Sequence, residues 1–164
     1  MYLIETLKYL RTVKFITIFA LLLLCNVVSA TPADTVKINA RNGEAGEKSI
    51  YELYFSVEQE ITPNASVVVS FPEDFDLSGV TIASSTTING GFEVSVNNSS
   101  VILKRTGLGK SIPPNEKVNI KFANVKNPDS AVSNQKVTIE IRNDNNQTVL
   151  NRQEEIQVVP NASK

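Results

Sequence analysis

From Thr35 onward the chain alternates apolar and polar side chains in short runs of period two. Val36, Ile38 and Ala40 are separated by Lys37 and Asn39; Tyr51, Leu53, Phe55 and Val57 are separated by Glu52, Tyr54 and Ser56. Val67, Val69 and Phe71 share one face of "SVVVSF", as Phe92, Val94 and Val96 do in "FEVSV". The spacing recurs in "VILKR" from Val101, in Val118, Ile120 and Phe122, in Val137, Ile139 and Ile141, and in "EIQVV" before Pro160. Successive side chains of a strand point to opposite faces, so this pattern predicts about eight short strands, each with one face buried. No run of helical period follows residue 30.

Between the runs stand Asn42-Gly43, Pro63-Asn64, Pro72-Glu73-Asp74, Asn89-Gly90-Gly91, Asn97-Asn98, Pro113-Pro114, Asn127-Pro128-Asp129 and Asn143 to Asn146. Asn, Asp and Gly tolerate or cap the backbone of tight turns, and proline ends a ladder because it has no N–H. Short strands at this spacing predict an all-β fold, an antiparallel two-sheet sandwich of about 7–9 strands, with a closed barrel as the alternative. The chain has no tryptophan, so an immunoglobulin likeness is one of topology, without the buried Trp and disulfide of antibody domains.

Two stretches carry a family likeness: "ASVVVSFPEDFDLSGVTI", Ala65 to Ile82, and "IPPNEKVNIKFANVKNP", Ile112 to Pro128. A strand that ends in a Phe-Pro step before an acidic-aromatic turn, and a later strand that ends in Asn-Pro, resemble immunoglobulin-like sandwich modules of secreted and surface-layer-associated bacterial and archaeal proteins. The resemblance implies a place in the envelope and says little about activity. Within the first stretch, Phe71 closes the core face of its strand, Pro72 ends the pairing, and Phe75 and Leu77 pin the loop to the end of the sandwich.

The N-terminus has a different grammar. Lys8, Arg11 and Lys14 precede an apolar run from Phe15 to Val28, followed by Val28-Ser29-Ala30. Basic flank, short apolar run and small residues are the three parts of a secretory signal peptide, and the run is shorter than the roughly 20 residues of a membrane span. Residues 1–30 are therefore expected to be a signal peptide cleaved after Ala30, with residues 31–159 a single sandwich domain and 160–164 a C-terminal tail. Cys25 lies inside the apolar run after Leu24, where lipoprotein processing wants a small residue. The mature chain would then contain no cysteine and be held by packing and hydrogen bonds alone.

Charge excludes some classes of function. Three of the 16 basic and one of the 17 acidic residues lie in the leader, which leaves 13 and 16 and a net charge of about −3. A mild acidic balance argues against nucleic acid as a partner. The chain has no histidine, so the usual proton-transfer residue and the commonest zinc ligand are missing, and the expectation is a protein without catalytic residues, metal or cofactor. Glu58 with Glu60, and Glu154 with Glu155, are the carboxylate pairs a glycosidase would need; the first pair is expected on one face of a strand. Glu73, Asp74 and Asp76 offer hard oxygens for calcium but lack the spacing of a calcium loop.

Thr106 to Ser111 reads "TGLGKS", which ends like a phosphate-binding loop. Lys104 stands where such a loop needs its first glycine, and Pro113-Pro114 follow where a helix must begin. The segment is expected to be a plain loop between strands. Asn-x-Ser/Thr acceptor sequences at Asn64, Asn97, Asn98, Asn146 and Asn161 suit a secreted surface. The sequence thus points to a non-enzymatic secreted or envelope module that grips a protein or self-associates through its edge strands, expected at Thr35–Arg41 and Glu154–Val159. The alternative is a carbohydrate-binding module whose stacking ring is Tyr54, the aromatic lying opposite the core face.

Overall fold

The alternating runs become strands of a sandwich because each can bury one face only against another sheet. The structure, a computed structural model, describes residues 34–163; the expected signal peptide, Cys25 and the cleavage position lie outside them. The strands are β1 (Thr35–Ala40), β2 (Lys48–Ser56), β3 (Ser66–Ser70), β4 (Ala83–Ser84), β5 (Phe92–Asn97), β6 (Ser100–Arg105), β7 (Val118–Lys126), β8 (Val132–Arg142) and β9 (Thr148–Val158). They form two antiparallel sheets, one of four strands in the order β1-β2-β7-β4 and one of five in the order β5-β6-β3-β8-β9. The sheets do not close into a barrel: β1, β4, β5 and β9 are edges. The described residues form an all-β, antiparallel two-sheet sandwich of nine strands, and no helix occurs among them.

The core lies between the sheets and is built from the predicted faces. Tyr51, Leu53 and Phe55 of β2 and Ile120 and Phe122 of β7 face Val67 and Val69 of β3, Val101 and Leu103 of β6, and Val137, Ile139 and Ile141 of β8, all buried. Register keeps these faces together: Leu53 lies opposite Ile120, and Val69 lies opposite both Val101 and Ile139. A slip of one residue in any strand would turn its whole apolar set to water.

Asparagine does much of the turning. Each non-glycine residue at positive φ among the described residues is an Asn: 98, 115, 124, 134 and 146. Asn98 turns the β5–β6 hairpin, and Asn146 turns the β8–β9 hairpin, where the Asn143 N–H bonds the Gln147 carbonyl at 2.9 Å. Asn124 is the extra residue where Ser49 pairs with Val125 but Ile50 pairs with Ala123. A short polar side chain lowers the cost of the left-handed region, which a β-branched residue would pay in full.

Three strand boundaries differ from those the period predicts. The two-residue β4 is too short to show a period. β8 begins at Val132 rather than Val137, because its first half, "VSNQK", is interrupted by a register shift. β9 begins at Thr148 rather than Glu154; a second register shift turns the adjacent Val149 and Leu150 both inward, and the following Asn151 to Glu155 have no buried member.

Candidate functional site

Three features raised by the sequence are structural. The "TGLGKS" segment is a loop packed on residues 88–91: the Lys110 N–H bonds Asn89 Oδ1 at 3.1 Å, and Gly107 has φ +79°. Gly109 lies so close that an added Cβ would overlap the Asn89 carbonyl. Beneath it, Arg105 is 2% exposed and bonds three carbonyls, those of Thr62 (2.7 Å), Lys110 (2.6 Å) and Ile61 (3.4 Å). It ties the loop after β6 to the turn before β3, and burial lowers its pKa. A cleft of about 280 Å³ opens beside it, lined among others by Thr86, Asn89, Lys110 and Glu116. Arg105 Nε has no partner and is sealed from solvent, so the free N–H is closed to a ligand in that cleft.

The two family-like stretches meet at one tyrosine. Phe71 and Phe75, from the Phe-Pro stretch, pack edge-on against Tyr51 at centroid distances of 5.2 and 6.5 Å, and Phe122 stacks on it at 6.0 Å. The Tyr51 hydroxyl donates to Asn127 Oδ1 at 2.8 Å, and Asn127 Nδ2 donates to the carbonyls of Asn42 and Glu44 at 3.0 and 2.8 Å. Asn127 is the Asn of the Asn-Pro step and is 1% exposed. Burial pushes the Tyr51 phenol far above its ordinary range. These motifs therefore close one end of the sandwich. The sequence marked Asn127 as a turn residue and did not show its buried bonds, because its partners are more than 70 residues away.

The acidic candidates do not converge. Hydrogen bonding from the Ser78 side chain and from the Ser78 N–H, which meets Asp76 Oδ1 at 2.9 Å, holds the Asp76 carboxyl below the ordinary range, and Glu73 and Asp74 are exposed. Among the described residues no three acidic, His or Cys side chains gather as a metal site would need. Glu58 and Glu60 are not on a strand, contrary to expectation: β2 ends at Ser56, Glu58 lies in the bend that follows and Glu60 just after it. Glu154 pairs with inward-facing Val137 and Glu155 with exposed Lys136, so these two carboxylates point to opposite faces of β9.

Tyr54 lies on the outer face of the four-stranded sheet, 40% exposed. Its hydroxyl donates to Glu52 Oε2 at 2.8 Å, and Glu52 Oε1 also meets Arg41 Nε at 2.7 Å and Lys121 Nζ at 3.2 Å. These donors, the Tyr54 hydroxyl foremost, lower the Glu52 pKa to about 2, and the Tyr54 pKa rises in turn. Tyr51, Phe55, Phe71, Phe75 and Phe122 are buried and Phe92 is half-buried, so a sugar at this face would have one ring to stack on. The acceptor Asn residues 64, 97, 98 and 146 are exposed; Asn161 is half-buried, its Nδ2 bonding Glu47 Oε1 at 2.9 Å. The segment expected as a tail is thus tied to the sandwich at Asn161.

The edges are unequal. β1 and β9, the two expected from sequence, flank the same side of the sandwich and are stitched together. Val159 N–H bonds the Gly43 carbonyl at 2.8 Å, and its own carbonyl accepts the Ala45 N–H at 2.9 Å. Arg152 and Glu154 pair with Ile139 and Val137, which places two charges on the inward face of β9; Arg152 reaches to 3.9 Å from Asp34 before β1. Inward charges protect an edge from further pairing. β5, on the opposite side beside β4, carries no inward charge, pairs with β6 without a register shift and contains neither Pro nor Lys. The Thr106 N–H bonds the Gly91 carbonyl, so bonded pairs alternate from there through Glu93, Ser95 and Asn97. Phe92, Val94 and Val96 consequently turn their N–H and C=O groups away from β6, where they meet no backbone hydrogen-bond partner among the described residues. The sequence missed β5 as an edge because strand order is not a local property.

No family model and no curated protein matches the sequence. Similar solved structures include an uncharacterized protein of Nocardia farcinica with an immunoglobulin-like fold, 18% identical, covering 70% of this chain and 80% of that one at a TM-score of 0.48. A cohesin module from a Clostridium perfringens family 33 glycoside hydrolase is 14% identical over 78% and 95% of the two chains, TM-score 0.49. A non-cellulosomal cohesin of the archaeon Archaeoglobus fulgidus is 12% identical over 76% and 91%, TM-score 0.48. The structures this chain resembles are thus immunoglobulin-like and cohesin modules of bacteria and archaea, a likeness of fold, as the two marker stretches led one to expect.

Proposed function

We propose that this chain is a non-enzymatic module, exported to the envelope or the medium, that works by holding protein at the edge of its five-stranded sheet. The observation that carries the reading is β5: a regular edge strand whose alternate N–H and C=O groups make no backbone hydrogen bond, on a sandwich whose other long edges are stitched together. An extended segment laid along such an edge gains main-chain hydrogen bonds for affinity, while the alternating side chains provide selectivity. The basic flank, apolar run and small residues before Thr31 support export.

A photo-crosslinking side chain at Ser95, exposed on β5, tests this in the native host, with Thr138 in the middle of the same sheet as the control position. Protein adducts from Ser95 and few from Thr138, in an envelope or medium fraction whose N-terminus is Thr31, are the expected result. A cytosolic protein that retains Met1 and yields no adduct from Ser95 would overturn the proposal.

A further inference from the structure

We infer that β5 pairs with the β5 of a second copy of this chain, antiparallel about a two-fold axis through Val94, to join two five-stranded sheets into one of ten. The inference rests on the reading of β5 as the contact edge and names its occupant. The outward backbone groups belong to residues 92, 94 and 96. With Val94 opposite itself, Phe92 bonds Val96 of the second copy, Val94 bonds Val94, and Val96 bonds Phe92, so each outward group finds a partner. A two-fold contact uses the same patch on both copies.

The side chains fit the same register. Paired residues share a face, so half-buried Phe92 comes against Val96, which is 38% exposed in the single chain, and Val94 against Val94. On the outer face Glu93 comes against Ser95, and no like charges lie directly opposite. The hairpin at Asn98 reaches the start of the other copy's β5, where Gly90 touches the loop carrying Leu108, 85% exposed and the most exposed large apolar side chain among the described residues. Neither β1 nor β9 offers as much: β9 turns Arg152 and Glu154 inward, and the Gly43–Ala45 segment lies along its end.

Three substitutions of the purified protein test the register by sedimentation equilibrium and amide exchange. Val94→Pro removes one outward N–H that β6 does not use, and an edge strand tolerates proline there. It should weaken the dimer by roughly tenfold or more while leaving the monomer's melting temperature within a few degrees. Ser95→Lys, facing Glu93 twice across the axis, should tighten the dimer several-fold, and Ser95→Glu should loosen it. In the unsubstituted protein the amides of residues 92, 94 and 96 should exchange more slowly as concentration rises, with those of 93, 95 and 97 unchanged. A dimer indifferent to Val94→Pro, or equal effects of the two Ser95 changes, would overturn the register. A monomer at millimolar concentration would overturn self-pairing, and Ser95 adducts to a different protein would then still uphold the edge as a contact site.

Discussion

Replacing Asn127 by alanine removes three hydrogen bonds from a place that water scarcely reaches. The Asn127 amide accepts from the Tyr51 hydroxyl at 2.8 Å and donates to the Asn42 and Glu44 carbonyls at 3.0 and 2.8 Å. A buried hydrogen bond contributes about 1 kcal/mol net, and a buried partner left unmade costs about 1–3 kcal/mol. Asn42 is exposed and Glu44 half-exposed, so both carbonyls can rehydrate; the Tyr51 hydroxyl cannot. Asn127→Ala should therefore cost about 3 kcal/mol, and Tyr51→Phe, which strands only Asn127 Oδ1, about 1.5 kcal/mol. Both changes delete the Tyr51–Asn127 bond, so the double variant should fall short of their sum by about 1 kcal/mol. At about 4 °C per kcal/mol for a domain of this size, the melting temperature drops by about 12 °C for Asn127→Ala and about 6 °C for Tyr51→Phe. Thermal unfolding of the four proteins, followed by circular dichroism, reads all three quantities. A drop under about 3 °C for Asn127→Ala, or strict additivity in the cycle, would refute this account of how the sandwich end is closed.

Two further outcomes follow from the charged groups. Glu52 is depressed from 4.5 to about 2 in the folded chain, so its contribution is fully present above about pH 4.5 and is lost as pH falls toward 2. Unfolding curves at pH 7 and near pH 2 should show the gap between the native protein and Glu52→Gln narrowing in acid, and parallel pH profiles would contradict the cluster. Arg105 bonds three carbonyls, but burying a guanidinium is itself costly. Arg105→Met should lose about 2 kcal/mol on balance and open the 106–111 loop to proteolysis. Arg105→Lys should do no better, because one ammonium cannot span the Thr62 and Lys110 carbonyls.

Period two alone marked the central strands: the predicted inward faces of β2, β3, β6 and β7 are the buried ones. It served badly where a strand departs from simple alternation. β4 has two residues, β8 starts through a register shift, and β9 carries Arg152 and Glu154 on the side its neighbour devotes to the core. The candidate site was legible only in part. β1 and β9 were expected as edges and are edges, yet their stitching through Val159 and the openness of β5 depend on which strands lie side by side. The Glu58 and Glu60 pair was misplaced because alternation was carried past the true end of β2.

The amino-acid sequence by itself determined the class of fold, through apolar side chains repeating every second residue and turns built from Asn, Gly and Pro, since these are local preferences of the backbone. Only the tertiary structure decided what the motifs are for. Asn127 meets Tyr51 across 76 residues, Arg105 reaches the turn before β3, and β5 becomes an edge, because each depends on order and register between strands that are distant in the chain.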